Sequence, residues 1–302
     1  MNNNNWTAAN IPDQKGKIII VTGANSGIGL VATKELCKKN ATVVMAVRNK
    51  EKGETALQEV KREAPGASVS LMQLDLADLE SIAKFSVTFG QQYNSLHVLI
   101  NNAGVMYPAK REVTKQGFEM QIGTNHLGHF ALTGQLLAII KKTPHSRVVM
   151  QSSLAHLSGS INLDDLNGEK RYSKIQAYGQ SKLANLLFAY ELDRRFKAHN
   201  VDAIATASHP GVSKTNLMNT SGFIIELLTP LIAQKAEMGA LPILRAATDE
   251  SLVGGEYIGP DGLMGVRGYP VIMKSNRKSY DIRMAKDLWT LSEKMTGIYF
   301  SI

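Results

Sequence analysis

Residues 17–29 read Lys-Ile-Ile-Ile-Val-Thr-Gly-Ala-Asn-Ser-Gly-Ile-Gly, and this stretch decides the fold. The run from Lys17 to Val21 is almost wholly apolar and β-branched, which is typical of a strand buried on both faces of a parallel sheet. A glycine-rich turn follows at once, and the composition of 30–39 predicts a helix after it. A strand, a glycine turn and a helix in this order bring free backbone N–H groups to the place where a pyrophosphate binds. We therefore predict a dinucleotide site at this turn, which includes Gly23, Asn25, Gly27 and Gly29.

The end of the second predicted strand, 42–47, indicates which dinucleotide binds. In a nucleotide-binding unit this strand end meets the adenosine ribose, and an acidic residue there would hold the free 2′-hydroxyl of NAD. The chain has Arg48 and Asn49 instead. A guanidinium group can pair with a 2′-phosphate, so we predict NADP(H) in preference to NAD(H). The alternative is a solvated arginine at a strand end.

Two further strand ends are expected at the same edge of the sheet. The third strand, 69–74, ends in Asp75 and Leu76, where adenine should lie. The carboxylate of Asp75 could accept from the adenine amino group or cap the next helix, and both roles stay open. The fourth strand, 97–100, leads into Asn101-Asn102-Ala103-Gly104, whose small residues let the backbone lie close to a flat ligand.

Strands and helices alternate along the whole chain. Further strands are predicted at 147–151, 201–207 and 255–258, and helices at 50–63, 79–93, 121–141 and 279–295. This alternation predicts an α/β fold with one Rossmann-type doubly wound parallel sheet of about seven strands flanked by helices. We expect a single domain over 1–302, with a polar tail at 1–15 and a C-terminal extension at 260–302. The turn-like sequences within 259–270 do not indicate what the extension does.

The composition is that of an ordinary globular protein, with 302 residues, 44% hydrophobic and 20% charged. The N-terminus lacks the features of a signal peptide, and no uninterrupted apolar run has the length of a membrane span. The single cysteine, Cys37, excludes an internal disulfide and fits a reducing compartment. We therefore expect a cytoplasmic protein without an integral membrane segment.

The charge and histidine patterns narrow the classes of ligand. The formal charge of +8 is spread along the chain and favours an anionic small molecule over nucleic acid. The seven histidines are scattered, without the spacing of a zinc site. We predict no metal.

Tyr178 and Lys182 are the candidate catalytic pair. If their segment is helical, a spacing of four places the two side chains on one face, one turn apart. A nearby cation favours the phenolate, so Lys182 should lower the pKa of Tyr178 below its usual value of about 10 and let the pair move protons near neutral pH. The pair also occurs by chance on many helices, so it needs support from the rest of the chain.

That support comes from a set of motifs that occur together and in order. They are Thr22-Gly23-x-x-x-Gly27-x-Gly29, Asp75, Asn101-Asn102-Ala103-Gly104, Asn125, Ser153, Tyr178-x-x-x-Lys182 and Pro210-Gly211. From about 17 to about 265 the chain resembles the short-chain dehydrogenase/reductase family, and the sequences Asn125–Phe130 and Tyr178–Asn185 resemble its retinol-dehydrogenase-like branch. The resemblance implies an oxidoreductase that transfers a hydride between NADP(H) and the carbonyl or alcohol carbon of a small molecule.

The family mechanism carries over to four residues. The resemblance implies that Tyr178 exchanges a proton with the substrate oxygen, and that Lys182 lowers the pKa of Tyr178 and holds the nicotinamide ribose. It implies that Ser153 binds the substrate oxygen and that Asn125 orders a water which leads protons to solvent. Ser152 should point the other way because side chains alternate along a strand.

The resemblance also implies further cofactor contacts. Ser26 and Ile28 would line the phosphate turn, Asn102, Ala103 and Gly104 would flank the ribose, and residues after the sixth strand would meet the nicotinamide carboxamide. Those last residues are Pro210, Gly211, Val212 and Thr215. Some NADP-preferring members carry a basic residue inside the glycine turn. This chain has Ser26 there, so its preference rests chiefly on Arg48.

Fewer residues indicate which substrate binds. The apolar stretch 223–233, within 212–240, is placed to form a lid over a lipophilic substrate, although a helix packed on the core would show the same pattern. Met106 and Leu157 are candidate pocket walls, and homo-oligomers are common in the family. Two other functions compete: a catalytically silent protein that senses NAD(P), which the intact Tyr178 and Lys182 argue against, and a sugar-nucleotide epimerase, whose glycine turn usually has another spacing.

Overall fold

The computed structural model describes residues 5–212 and 234–302, and these contain one eight-stranded sheet. The strands are β1 Ile18–Thr22, β2 Thr42–Val47, β3 Val69–Gln73, β4 Val98–Asn101, β5 Ser146–Gln151, β6 Ala203–Ser208, β7 Tyr257–Pro260 and β8 Pro270–Met273. They lie in the order β3-β2-β1-β4-β5-β6-β7-β8. The order reverses between β1 and β4, and in open α/β sheets ligands bind at the carboxyl ends of the strands at such a point.

The predicted count of about seven strands is wrong by one, because β8 was interpreted as a turn. Strand β8 pairs antiparallel with β7, whereas the other described neighbours are parallel. It is four residues long, begins with Pro270 and leaves Ile272 53% exposed. A proline is tolerated at the start of an edge strand because one side of that strand needs no hydrogen-bond donor. Such a short edge strand carries little periodic signal.

Helices cover both faces of the sheet. They are α1 Gly27–Lys38, α2 Lys50–Glu63, α3 Leu79–Gln92, α4 Met120–Ile122, α5 Gly128–Gln135, α6 Leu137–Lys142, α7 Lys174–Ala198, α8 Ala236–Thr248 and α9 Ile282–Thr296. The long helix predicted at 121–141 is interrupted, because Gly123–Leu127 is π-helical and a further break lies at Leu136. No helix among the described residues is both long and apolar enough to cross a membrane.

Alternate residues of the central strands feed two separate hydrophobic cores. Ile20, Leu99 and Val148 pack with helices α3, α5 and α7 on one face. Their neighbours Ile19 and Val98 pack with α1, α2 and α8 on the other. Both faces of the sheet are therefore buried, as the unbroken apolar run of β1 predicts.

The described residues nearest to each end of the chain pack on this framework. Ile11 is only 2% exposed and the backbone N–H of Gln14 donates to the carbonyl of Lys39 at 2.7 Å, so 5–15 is not the free tail that its polarity suggests. At the other end, α9 packs against α7, and Trp289 and Phe300 join an aromatic cluster around Phe130.

Two glycines, one in a crowded position and one in open space, allow the packing of the chain to be tested. A Cβ on Gly128 would overlap the backbone oxygen of Leu76, whereas a Cβ on Gly90, inside α3, would have nothing within 4 Å. We expect Gly128→Ala to lower the free energy of unfolding by about 1–3 kcal/mol because backbone must move. The matched control Gly90→Ala should raise it by about 0.5–1 kcal/mol through helix propensity. Urea unfolding measures both, and equal effects would contradict the packing at Gly128.

Candidate active site

The glycine turn forms one end of a long cavity. Gly23 has φ +66°, a left-handed conformation that favours glycine, at the point where β1 ends. A Cβ on Gly29 would overlap the Gly23 carbonyl oxygen, so the start of α1 lies directly against the turn. Ser26 occupies the N-cap position of α1. The N-terminal N–H groups of α1 therefore face the cavity, as a pyrophosphate requires.

The far end of this turn carries the candidate 2′-phosphate site. Arg48 and Lys52 are exposed and both line the cavity. Asn49 caps α2, since its side-chain oxygen accepts from the backbone N–H of Lys52 at 2.7 Å. Lys52 was not predicted from the sequence, because only the geometry of the first turn of α2 brings it to the same side as Arg48.

Asp75 does not take the helix-capping role, because α3 begins at Leu79 and its N-cap residue is Asp78. The Oδ1 of Asp75 accepts a hydrogen bond from the backbone N–H of Ala77 at 2.9 Å, so one oxygen is used locally. Asp75 and Leu76 both line the cavity. The contact of Asp75 with adenine stays a prediction.

The candidate catalytic residues meet at the opposite end. Tyr178 and Lys182 lie on α7, 7% and 4% exposed, and Ser153 lies beside the Tyr178 phenol and lowers its pKa. The Lys182 Nζ donates to the Gln151 carbonyl at 3.2 Å and lies 5.6 Å from the centre of the Tyr178 ring. Ser152 turns away and donates to the Lys182 carbonyl at 2.8 Å. Strand β5 thus presents Ser153 to the phenol and uses Ser152 to hold α7.

The predicted lowering of the Tyr178 pKa is wrong for this structure. Burial raises the pKa of Tyr178 well above its usual range, and the polar side chain of Ser153 only partly opposes this effect. Burial also lowers the pKa of Lys182 to about 8. Desolvation penalises the charged form of both groups, and here it outweighs their attraction. At neutral pH the phenol is therefore protonated and Lys182 is still mostly charged, an arrangement suited to giving a proton.

Asn125 lies beneath the cavity and does not line it. Its Oδ1 accepts from the Val105 backbone N–H at 2.8 Å, and its Nδ2 donates to the Val105 carbonyl at 3.0 Å and to Ser181 Oγ at 2.9 Å. The side chain thereby holds 105 against α7, with one acceptor bond to Oδ1 and two donor bonds from Nδ2. The expected role of Asn125 in ordering a water stays a prediction.

Tyr107 is a site residue that the sequence reasoning missed. Its ring packs edge-on against Tyr178 with the ring centres 5.1 Å apart. Its backbone is left-handed, with φ +53°, and its N–H donates to Gln121 Oε1 at 2.9 Å. No local pattern predicts a left-handed tyrosine, since the conformation depends on a partner 14 residues away. Of the two predicted walls, Met106 lines the cavity, whereas Leu157 is 56% exposed and does not.

A single cavity of about 630 Å³ connects the two ends. Its lining includes the following residues predicted from the sequence: Gly23, Asn25, Ser26, Gly27, Ile28, Arg48, Asn49, Asp75, Leu76, Asn102, Ala103, Gly104, Ser153, Tyr178, Lys182, Pro210, Gly211 and Val212. Gly29 and Asn125 lie just outside it, and Thr215 and the expected lid at 223–233 lie outside the described residues. The crowded glycine turn at one end, cations beside it and a buried phenol at the other fit an extended dinucleotide with a substrate at its inner end.

Known proteins are similar to this chain in sequence. The model of the short chain dehydrogenase family matches residues 17–222. Mouse retinol dehydrogenase 12 is 39% identical over 288 residues, covering 94% of this chain and 87% of that protein. Human retinol dehydrogenase 13 is 39% identical over 294 residues, covering 94% and 85%.

Solved structures have a fold similar to that of this chain. An uncharacterised protein from Mycobacterium paratuberculosis has a TM-score of 0.84 and 42% identity, covering 99% of this chain and 100% of that one. The NADP complex of RhlG from Pseudomonas aeruginosa has a TM-score of 0.64 over 80% of this chain and 94% of that one, and at 21% identity it supports the fold alone. The chain belongs to the short-chain dehydrogenase family, whose members are NAD(P)-dependent oxidoreductases acting on alcohols and carbonyls.

Proposed function

We propose that this protein is an NADP(H)-dependent oxidoreductase that interconverts an alcohol and a carbonyl group on a small lipophilic molecule. One observation carries the proposal: Ser153, Tyr178 and Lys182 meet at the inner end of the same cavity that has the glycine turn and Arg48 at its other end. A dinucleotide bound along this cavity would bring its nicotinamide to the residues that we propose exchange a proton.

The roles of the chain's residues follow from their protonation. The nicotinamide, when bound, supplies or accepts the hydride. In reduction, the protonated Tyr178 gives its proton to the substrate oxygen, and Ser153 donates to the same oxygen and orients it. The charged Lys182 stabilises the phenolate that is left. In oxidation the same groups act in reverse.

The walls at the reacting end favour an apolar substrate. Among the described residues, those that line this end beside Ser153 and Tyr178 include Val105, Met106, Tyr107, Ala155 and Val212. Apolar and aromatic walls bind a ligand mainly by removing its surface from water. The curated relatives are named for retinol, an apolar alcohol.

A cytoplasmic location is also proposed, on the single buried thiol of Cys37.

Removing one hydroxyl tests the chemistry. In a turnover screen with NADPH and lipophilic aldehydes, ketones and quinones, Tyr178→Phe should lower kcat by about 10²–10⁴ because the proton donor is lost. The Kd for NADPH, measured by fluorescence, should change little. The control Tyr190→Phe removes a buried hydroxyl of α7 that bonds Ser275 instead, and it should keep activity. Wild-type kcat in Tyr178→Phe would refute the mechanism, and tight NADPH binding without any turnover in the wild type would indicate a sensor.

The cofactor preference rests on Arg48. We expect Arg48→Glu to lower the ratio of kcat/KM for NADPH to that for NADH by about 30-fold, equivalent to about 2 kcal/mol for a lost charge-assisted hydrogen bond and an added repulsion. Arg62→Glu makes the same charge change at an exposed site on the last turn of α2 and should leave the ratio unchanged. A wild-type enzyme that prefers NADH would overturn the assignment.

The pH dependence of reduction follows from Lys182. Burial lowers the pKa of Lys182 to about 8, so the ammonium is charged below this pH and loses its charge as the pH rises through it. The raised pKa of Tyr178 keeps the phenol protonated over the same range. We therefore expect kcat for carbonyl reduction to be constant near neutral pH and to fall above about pH 8. Steady-state rates at saturating NADPH measure this, and a kcat that rises through pH 8–9 would contradict it.

A further inference from the structure

His129 connects two parts of the active site without lining the cavity. It is the second residue of α5 and is completely buried. Its Nδ1 lies 3.0 Å from the backbone oxygen of Asn125, and its Nε2 lies 3.0 Å from the hydroxyl of Thr22. One ring thus joins the residue beneath the catalytic lysine to the last residue of β1.

The neighbours of the ring determine where its proton is. The Asn125 carbonyl can only accept, so Nδ1 must carry the hydrogen. The Thr22 hydroxyl already accepts from the backbone N–H groups of Asn102 and Ala103, each at 2.9 Å, which uses both of its lone pairs. Its own hydrogen is therefore free to go to His129 Nε2, with the Ile100 carbonyl as a more distant alternative at 3.3 Å. The neutral Nδ1–H tautomer satisfies every group, and burial keeps the ring neutral by lowering its pKa to about 4.

The bonds of His129 close a ring of contacts around the loop that follows β4. Thr22 holds the start of the loop at Asn102, and the Asn125 side chain holds its end through both backbone groups of Val105. His129 links these two holding points. The loop between them forms part of the cavity wall through Asn102, Ala103, Gly104 and Val105.

The surroundings of Gly104 show how close this loop passes to Lys182. A Cβ on Gly104 would lie 3.1 Å from Asn125 Oδ1 and 3.5 Å from Lys182 Nζ. Even a methyl group at position 104 would therefore touch both groups, so the loop backbone passes close to them and a small shift of the loop would change the space above Lys182. Since Lys182 is the group expected to hold the nicotinamide ribose, the loop sets where that half of the cofactor can lie.

We propose that His129 is a positioning residue, which fixes the loop 102–105 relative to Lys182 by bridging Asn125 and Thr22 and thereby sets the affinity for the dinucleotide and the alignment of its nicotinamide. The proposal rests on the proposed function for the identity of the ligand. It adds a requirement for a histidine that touches neither cofactor nor substrate.

Three substitutions separate the two bonds. His129→Leu removes both, His129→Asn keeps an amide N–H donor at the position of Nδ1, and His129→Gln can place its amide oxygen, an acceptor, at the position of Nε2. We expect His129→Leu to raise the Kd for NADPH about tenfold and to lower kcat by a similar factor. This is the size of effect that follows from the loss of hydrogen bonds between uncharged groups. The Asn and Gln variants should each recover part of the loss, since each restores one bond.

A neighbouring histidine provides the control. His126 is equally buried in the same segment, but its Nε2 bonds Ser292 Oγ of α9 at 2.9 Å, away from the loop. His126→Leu should lower the urea midpoint as His129→Leu does, while the Kd for NADPH stays at the wild-type value. If both leucine variants lose stability and neither changes the Kd, His129 has only a structural role and the proposal fails.

A measurement on the wild-type protein covers variants that do not fold. Nitrogen-15 NMR of the histidine rings should show His129 as the Nδ1–H tautomer, with no titration between pH 5.5 and 8, and addition of NADP⁺ should shift its ring signals. An Nε2–H tautomer, or ring signals that do not respond to bound NADP⁺, would overturn the proposal. Binding and NMR need no substrate, so these results stand apart from a failed turnover screen.

Discussion

The hydroxyl of Thr22 is the contact on which the rest of the site depends. It joins the carboxyl ends of β1 and β4 by accepting from the backbone N–H groups of Asn102 and Ala103. These are the two strands between which the order of the sheet reverses, and the last pair of their ladder is Val21 and Ile100. The Thr22 side chain extends the link beyond this pair, because threonine offers two acceptor sites and one donor in a small volume. Gly23, next in the chain, can then turn sharply against Ala103.

Burial governs the chemistry at the other end of the cavity. Tyr178 and Lys182 are so little exposed that desolvation moves both pKa values toward the neutral forms. A sequence argument sees a phenol and an ammonium group one turn apart and predicts mutual stabilisation of charge. In the structure the cost of removing both from water is larger, and of the described neighbours only Ser153 lowers the Tyr178 pKa. The phenol therefore keeps its proton at neutral pH, as the proton donor that we propose must.

The parts of the fold that the sequence predicted are those with local signals. The buried runs of β1 and β2 and the glycine turn each depend on residues within a few positions, and helix α2 has the bounds expected for it. Tyr107, Lys52 and the π-helical residues 123–127 were not predicted, because each depends on partners brought together by the tertiary fold. Strand β8 was missed because four residues on a sheet edge need little periodicity. Arg48 could be predicted to lie at the cavity, which it lines, because a strand end has a fixed place in any sheet of this topology.

The C-terminal extension, whose sequence gave no indication of its role, packs against the turn that carries Ser153. His156 Nδ1 lies 2.6 Å from the Ser153 carbonyl oxygen, which can only accept, so that nitrogen carries the hydrogen. The other ring nitrogen accepts from the backbone N–H of Asn276 at 3.3 Å, and the Asn276 amide donates to the His156 carbonyl at 2.7 Å. Lys278 adds a bond to the Gly159 carbonyl at 3.0 Å.

The family model ends at residue 222, yet similarity to the retinol dehydrogenases covers 94% of the chain. Most of the extension is therefore shared with these relatives, and in this structure it holds the backbone on both sides of His156 against the core, which limits how far Ser153 can move from Tyr178.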